Sequence, residues 1–254
     1  MPKKRKKPQF IEQINQRWQR FVLLFPKVGK GIRWAWRIFL VVMLIDVGFL
    51  IGIWPEWKWY AGGDIPKSRF IYVYERETAQ NPNLPRLRWK TIPYRDIPVH
   101  MLKAVLSAED HRFFEHDGID TDALQSAMEH NWERGRVVYG ASTISQQTVK
   151  NLFLSGSRNP FRKIHEVMLT YSMERNLNKK RILEIYLNVA EFGRGIYGIE
   201  SAAQRYWGIS ASQLSVSQAI ELAATLPAPK KHNPRTRTKF FQKQTKKIRR
   251  NMGL

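Results

Sequence analysis

Cysteine is absent from all 254 residues. The chain can therefore sit in an oxidising compartment without mispairing, although a cytosolic protein can lack cysteine too, so the absence does not choose between them. No internal repeat is present either, which removes the solenoid and propeller architectures. Acid is nearly missing from both ends: residues 1–37 hold eleven Lys/Arg against Glu12 alone, and residues 230–254 hold ten Lys/Arg against none. The net charge of +22 is thus +10 at each end, with +2 left for residues 38–229. A near-neutral core argues against nucleic acid as a partner and assigns the electrostatics to the tails.

Long apolar runs are missing except for one. Residues 32–54 read IRWAWRIFLVVMLIDVGFLIGIW, close to the ~20 apolar residues that a membrane span needs. Arg33 and Arg37 can snorkel, and Trp34, Trp36, Trp54, Trp57 and Trp59 bracket the ends as interfacial belts. Asp46 is the one charge between Ile38 and Trp54 and calls for protonation or a partner helix. No small-residue cleavage site follows, so an uncleaved anchor is expected. Residues 1–31 precede it with KKRKK, the flank that the positive-inside rule places in the cytoplasm, and with Phe10, Ile14, Trp18, Phe21 and Val22 near one helical face. Everything beyond Trp54 then lies outside. Residues 55–95, with five prolines and an alternating FIYVY, read as a stalk with a short β hairpin in which RLRWKTIPY pairs with FIYVY.

From Asp96 the pattern turns helical, over 97–109, 120–133, 143–153, 161–177, 179–190, 195–206 and 215–226. The first of these helices, with Asp96 as its cap, ends in EDHRFFEHDG, residues 109–118, where six titratable groups crowd two phenylalanines. Glu109 falls in the last turn, at the negative end of the helix dipole and beside Phe113; dipole and desolvation both raise a carboxyl pKa, as a general base requires. The bland reading is a solvated turn. In GASTISQQTVKNLF, Thr143 and Gln146 have capping-box spacing, and the helix start faces the Gly140–Ser142 loop as an anion site. Thr143, Gln147 and Lys150 share a face suited to a sugar phosphate, or else form an ordinary solvated face. Arg162 and Lys163 precede Glu166 by four and three residues, either a surface ion pair or a carboxylate held beside two cations that receive a diphosphate. RILEIYLNVAEFGRGIYG reads as scaffold. Residues 235–254 form a basic tail, at most a surface helix.

In this order, EDHRFFEHDG, GASTISQQTVKN, RKIHE, RILEIYLNVAEFGRGIYG, AAQRYWG and a Pro-Ala-Pro to Asn-Pro ending resemble the monofunctional biosynthetic peptidoglycan transglycosylases, the lipid II-polymerising glycosyltransferase family 51. The resemblance covers about residues 96–234 plus the anchor, and no transpeptidase domain is expected to follow. It implies a mainly α, lysozyme-like glycosyltransferase domain with a small jaw subdomain, after one N-terminal transmembrane helix. It further implies inverting transfer, with Glu109 as the base and Glu166 as second carboxylate, Lys150 and Arg162 at the diphosphate, and Asp110, Phe113, His116, Ser142, Thr143 and Gln147 lining the cleft. No cofactor is required, while a divalent cation such as magnesium can shield the diphosphate; no metal-ligand cluster is evident. Implied partners are lipid II, the growing glycan, membrane lipids and cell-wall synthesis or division proteins, at the bacterial inner membrane. Rival readings are a lytic enzyme, which has no need of Lys150 and Arg162, and a membrane-anchored basic scaffold.

Overall fold

The computed structural model describes residues 9–24, 26–135, 140–156 and 159–254. The chain divides into two units after Trp54.

The N-terminal unit holds helices α1 (Gln9–Leu24) and α2 (Pro26–Gly52). Val28–Gly52 of α2 is long and apolar enough to cross a membrane. Its side chains are left open, Leu44 at 72% and Ile51 at 69%, which a core helix of a soluble protein would not tolerate. Trp57 does not belong to an interfacial belt: in the second unit it is buried, its indole N–H donates to Ser172 Oγ at 2.7 Å, and its ring meets Phe153 edge-on.

The second unit is helical: α3 (Lys58–Ala61), α4 (Arg69–Gln80), α5 (Val99–Glu109), α6 (Thr121–Glu133), α7 (Ile144–Phe153), α8 (Pro160–Asn176), α9 (Lys179–Val189), α10 (Ile199–Trp207), α11 (Val216–Thr225) and α12 (Lys239–Asn251). Most begin on a side-chain cap. Thr143 and Ser215 form capping boxes with Gln146 and Gln218, and Asn178 accepts from Arg181 N–H, each satisfying amides that would otherwise be orphaned. At α5 the expected cap is displaced: Asp96 closes a 3-10 turn and Pro98 holds the cap position without a side-chain bond. The core lies where α7 packs between α8 and α9 and where α5 meets α11, with Met101, Val105, Phe113, Ile144, Leu169, Ile182, Ile185 and Ile220 essentially inaccessible.

The expected hairpin is not there. FIYVY lies inside α4, capped by Ser68, which accepts from Ile71 N–H. Ile71 and Tyr74, three apart, are the pair that this helix buries, so what reads as period 2 is helical spacing; tertiary burial overrides β propensity here. RLRWK supplies instead β1 (Arg88–Trp89), which runs parallel to β3 (Ile196–Tyr197); β2 (Glu191–Gly193) is antiparallel on the other side of β3. The sheet and α4 share a small cluster of Ile71, Tyr74 and Tyr197. Two glycines make this turn feasible. Gly195 (φ +74°) leaves no room for a Cβ against the Tyr74 ring, and Gly198 (φ +80°) none against Asn188 O. They also end the helix expected over 195–206, so that α10 starts only at Ile199. Buried Asn188 ties the parts together, bonding the backbone of Ile92 in both directions while its own carbonyl accepts from Trp89 Nε1.

The basic C-terminus is not a free tail. α12 packs on α11 and α5, burying Phe241 and Ile248 seven residues apart, two helical turns on one face. Arg237 pairs with Glu221 at 2.8 Å and Arg249 reaches Ser217 Oγ at 3.0 Å. Phe241→Ala should therefore destabilise the domain by ~3–5 kcal/mol, as for other fully buried aromatics, read as a lowered thermal-unfolding midpoint of the detergent-solubilised chain. A loss below ~1 kcal/mol would mean that α12 is only loosely docked.

Candidate active site

α5 ends at Glu109 and presents its carboxyl to α7. Glu109 Oε2 accepts from Gln147 Nε2 at 2.7 Å. The Gln147 amide oxygen in turn accepts from Tyr186 O–H on α9 at 3.1 Å. That pairing orients the amide, because a phenol donating to the oxygen leaves the NH2 group facing the carboxylate. Glu109 Oε1 has no hydrogen-bond partner among the described residues. Glu109 lines a cavity of about 200 Å³ together with Asp110, Ser142, Thr143, Lys247 and Asn251. Gln147 and Lys150 line a second one of about 240 Å³ with Tyr186, Glu191 and Tyr197. Gln147 thus joins the two.

Charge follows this geometry. Burial pushes the Glu109 carboxyl above its ordinary range; the Gln147 hydrogen bond and the Lys150 charge pull it back, Asp110 adds to the rise and Lys247 opposes it. Burial pushes Lys150 down, opposed by Glu166 and Glu109 and reinforced by Arg162 and Lys163. Tyr186 lies well above the usual phenol range, through burial and then the neighbouring Glu109 and Asp110; it stays a donor. Glu166 is buried, with Arg162 Nη1 at 2.7 Å from Oε2 and Lys163 Nζ at 2.5 Å from Oε1. Neither Arg162 nor Glu166 lines the two cavities. They reach Lys150 through charge.

Several residues expected at the cleft serve as its frame. Asp110 lines the first cavity, but its carboxylate holds His116 Nε2 at 3.0 Å and accepts from Ile144 N–H at 3.0 Å. The anion at the N-terminus of α7 is therefore Asp110 itself, which satisfies the helix start from within. His116 Nδ1 accepts from Gly118 N–H at 3.1 Å, so Nε2 carries the proton it gives to Asp110. His116 and the inaccessible Phe113 line neither cavity. The Thr143 hydroxyl is spent, donating to Gly118 O and accepting from Gln146 N–H, whereas Ser142 is exposed and lines the first cavity.

A possible metal cluster exists that the sequence did not suggest. Asp110, His116 and Asp120 bring ligand atoms within 4.8 Å of one another. The donor set does not fit a resident ion, because both Asp120 oxygens are taken by Arg112 and the Ala123 N–H, and His116 Nε2 is engaged as a donor to Asp110. A dication would have to displace a guanidinium and a proton together.

Sequence reasoning missed Tyr186, Lys247 and Asn251. Tyr186 hides in an apolar helical face as one polar tip. Lys247 is one of ten cations in a run, and only the Phe241 and Ile248 spacing hints that this run docks.

A mainly helical enzyme domain, in which a desolvated carboxyl is held by an amide that lines the same cavity as a partly buried lysine, is what the fold and site define. The Transglycosylase family matches residues 78–253. Similar proteins include biosynthetic peptidoglycan transglycosylases of Nitrosospira multiformis, 42% identical over 85% of this chain and 94% of that protein, and of Laribacter hongkongensis, 37% identical over 89% and 96%. Another, from Janthinobacterium sp., is 42% identical over 84% and 91%. The chain belongs to the transglycosylase family.

Because the Gln147 bond favours the ionised Glu109, Gln147→Ala should raise the Glu109 pKa further. The acid limb of the kcat/KM profile, which reports an essential base in the free enzyme, should move to higher pH. An unmoved limb would separate Gln147 from the titrating group.

Proposed function

We propose that this membrane-anchored transglycosylase polymerises lipid II, with Glu109 as general base. As a member of its family the chain is a glycosyltransferase of peptidoglycan synthesis. Glu109 takes the proton of the 4-hydroxyl on the incoming sugar as that oxygen forms a bond to the anomeric carbon of the lipid-linked glycan. The bond from that carbon to the diphosphate breaks on the opposite face with inversion, and the electron pair leaves with undecaprenyl pyrophosphate. The observation that carries this reading is that Glu109 lines a cavity with Oε2 fixed by Gln147 and Oε1 without a hydrogen-bond partner among the described residues.

The leaving diphosphate gains charge in the transition state and needs cations already in place. Lys150 lines the adjoining cavity, and Arg162 contributes from the same charged cluster. Glu166 acts as a positioning residue that holds Arg162 and Lys163; with both oxygens occupied it is poorly suited to proton transfer. Ser142 lines the acceptor side, and Asp110, Phe113, His116 and Thr143 frame it. A divalent cation such as magnesium would arrive with the diphosphate, not reside in the Asp110 cluster. A lytic enzyme would have no use for this cationic wall.

The apolar α2 is consistent with a single-pass anchor. In our reading its basic N-terminal flank stays in the cytoplasm of a bacterial cell and the catalytic domain faces outward on the inner membrane. Leu124, Met128 and Trp132 on α6, four residues apart and all exposed, form an apolar stripe suited to the bilayer surface, and the outer cations of α12 suit anionic lipid. Cell-wall synthesis or division proteins are natural partners of such an enzyme.

With labelled lipid II, the wild-type chain should yield polymer ladders and Glu109→Gln none, because a general base contributes 10²–10⁴ in rate, roughly. Activity of the variant within about tenfold of wild type would remove Glu109 as base. The same variant should fold. A carboxyl with a raised folded-state pKa stabilises the native state only below its unfolded pKa and costs stability above its folded one. Glu109→Gln should therefore melt above wild type at neutral pH, and the difference should shrink as the solution is acidified.

A further inference from the structure

A third cavity, of about 380 Å³, opens beside the sheet and is walled by Arg86, Arg88, Arg194, Arg205, Lys230 and Arg235. None of the residues that line it is acidic. Elsewhere in this protein arginines take acids within reach: Arg112 holds Asp120 and Asp122, Arg181 holds Glu184, and Arg237 holds Glu221. The five guanidinium groups here form no ion pair and no side-chain hydrogen bond with any described residue. Only Lys230 has a partner, Glu191 at 3.7 Å. Gathering like charges around one cavity makes its local potential strongly positive and favours an anion there.

The position of this cavity connects it to the cleft. Glu191, which pairs with Lys230, lines the cavity of Gln147 and Lys150, and so does Pro229. Just beyond Glu191 and Pro229 in the chain, Gly193, Arg194 and Lys230 line the basic cavity. The two spaces thus meet across β2 and the segment at residues 229–230. The Glu191 carboxyl stands between them, raised above its usual range by burial and pulled back by Lys230, with Oε1 buried and unpartnered.

We infer that this cavity binds the acidic peptide carried by the peptidoglycan chain, gripping its carboxylates while the attached sugars lie in the neighbouring cleft. The inference rests on the polymerase reading. Five forks supplied by four separate stretches of chain, at residues 86–88, 194, 205 and 235, suit several spaced carboxylates better than one compact phosphate, and planar guanidinium pairs with carboxylate in two parallel hydrogen bonds. A phosphate-bearing lipid headgroup shares only part of that chemistry.

The test compares full-length wild type with the triple variant Arg88→Gln, Arg194→Gln, Arg235→Gln, none of which lines the cavities of Glu109 or Lys150. Each enzyme is given two substrates, lipid II with free peptide carboxylates and lipid II with those carboxylates amidated. The variant should raise KM for the free-carboxylate substrate by about tenfold or more, the scale of a lost charge-assisted hydrogen bond, with kcat and the KM of the amidated substrate unchanged. Wild type should itself prefer the free-carboxylate substrate. Equal KM changes on both substrates, or none, would overturn the inference. Equal changes accompanied by lost binding to phosphatidylglycerol vesicles would assign the cavity to headgroups instead. A wild-type chain that polymerises neither substrate would bring down the polymerase reading, an outcome distinct from polymerisation without discrimination.

Discussion

The hydrogen bond between Glu109 and Gln147 is the contact on which the rest of the site depends. It joins the end of α5 to the second turn of α7, and it sets one oxygen of a desolvated carboxyl while leaving the other open. A base must be reluctant enough to hold its charge that it will accept a proton, yet ionised often enough to act. In the proposed role of Glu109 as base, burial supplies the reluctance, and Gln147 and Lys150 supply the restoring pull. Without burial the carboxyl would titrate nearer its ordinary range, and without Gln147 and Lys150 it would lie further above it.

That contact needs two helix ends placed within hydrogen-bond range, and Asp110 sets their distance. One carboxylate caps α7 through Ile144 N–H and grips His116, which ties the turn after α5 to the start of α7. Behind α7, Tyr186 fixes the Gln147 amide. Such supporting bonds are what hold a reacting group to within a fraction of an ångström. The crowding of charge in EDHRFFEHDG therefore has an architectural explanation for Asp110 and His116 and a chemical one for Glu109.

Local signals in the sequence were easy to read where the chain itself carries them. The capping box of Thr143 and Gln146, the start of α11 at Ser215 and the apolar run of α2 depend on neighbours in sequence. What stayed hidden depends on partners far along the chain. FIYVY alternates on paper, but Tyr74 is buried against Tyr197, more than 100 residues away, and that burial selects the helix. The cations of the C-terminus look alike until α11 and α5 take up Phe241 and Ile248. That docking brings Lys247 to the rim of the cavity of Glu109. A shared helix face likewise predicts which groups can meet, but not which are already spent: Thr143 lies on the same face as Gln147 and Lys150, yet its hydroxyl is committed to Gly118 and Gln146.

The charge of the core shows the same limit in another form. A net of +2 over residues 38–229 describes a neutral body only if the charges mix, and they do not. Acids are drawn into Glu166, Asp120, Glu184 and Glu200, each buried or nearly so beside a cation. Cations are consequently left in surplus around the cleft and along the sheet edge. Neutrality in the sum and strong fields at the site are compatible because ion pairing inside the domain consumes the acids. Under the proposed function, a substrate that carries its charges as a diphosphate would meet counter-charges already set apart for it, so that reorganisation otherwise needed at the moment of transfer would be done during folding.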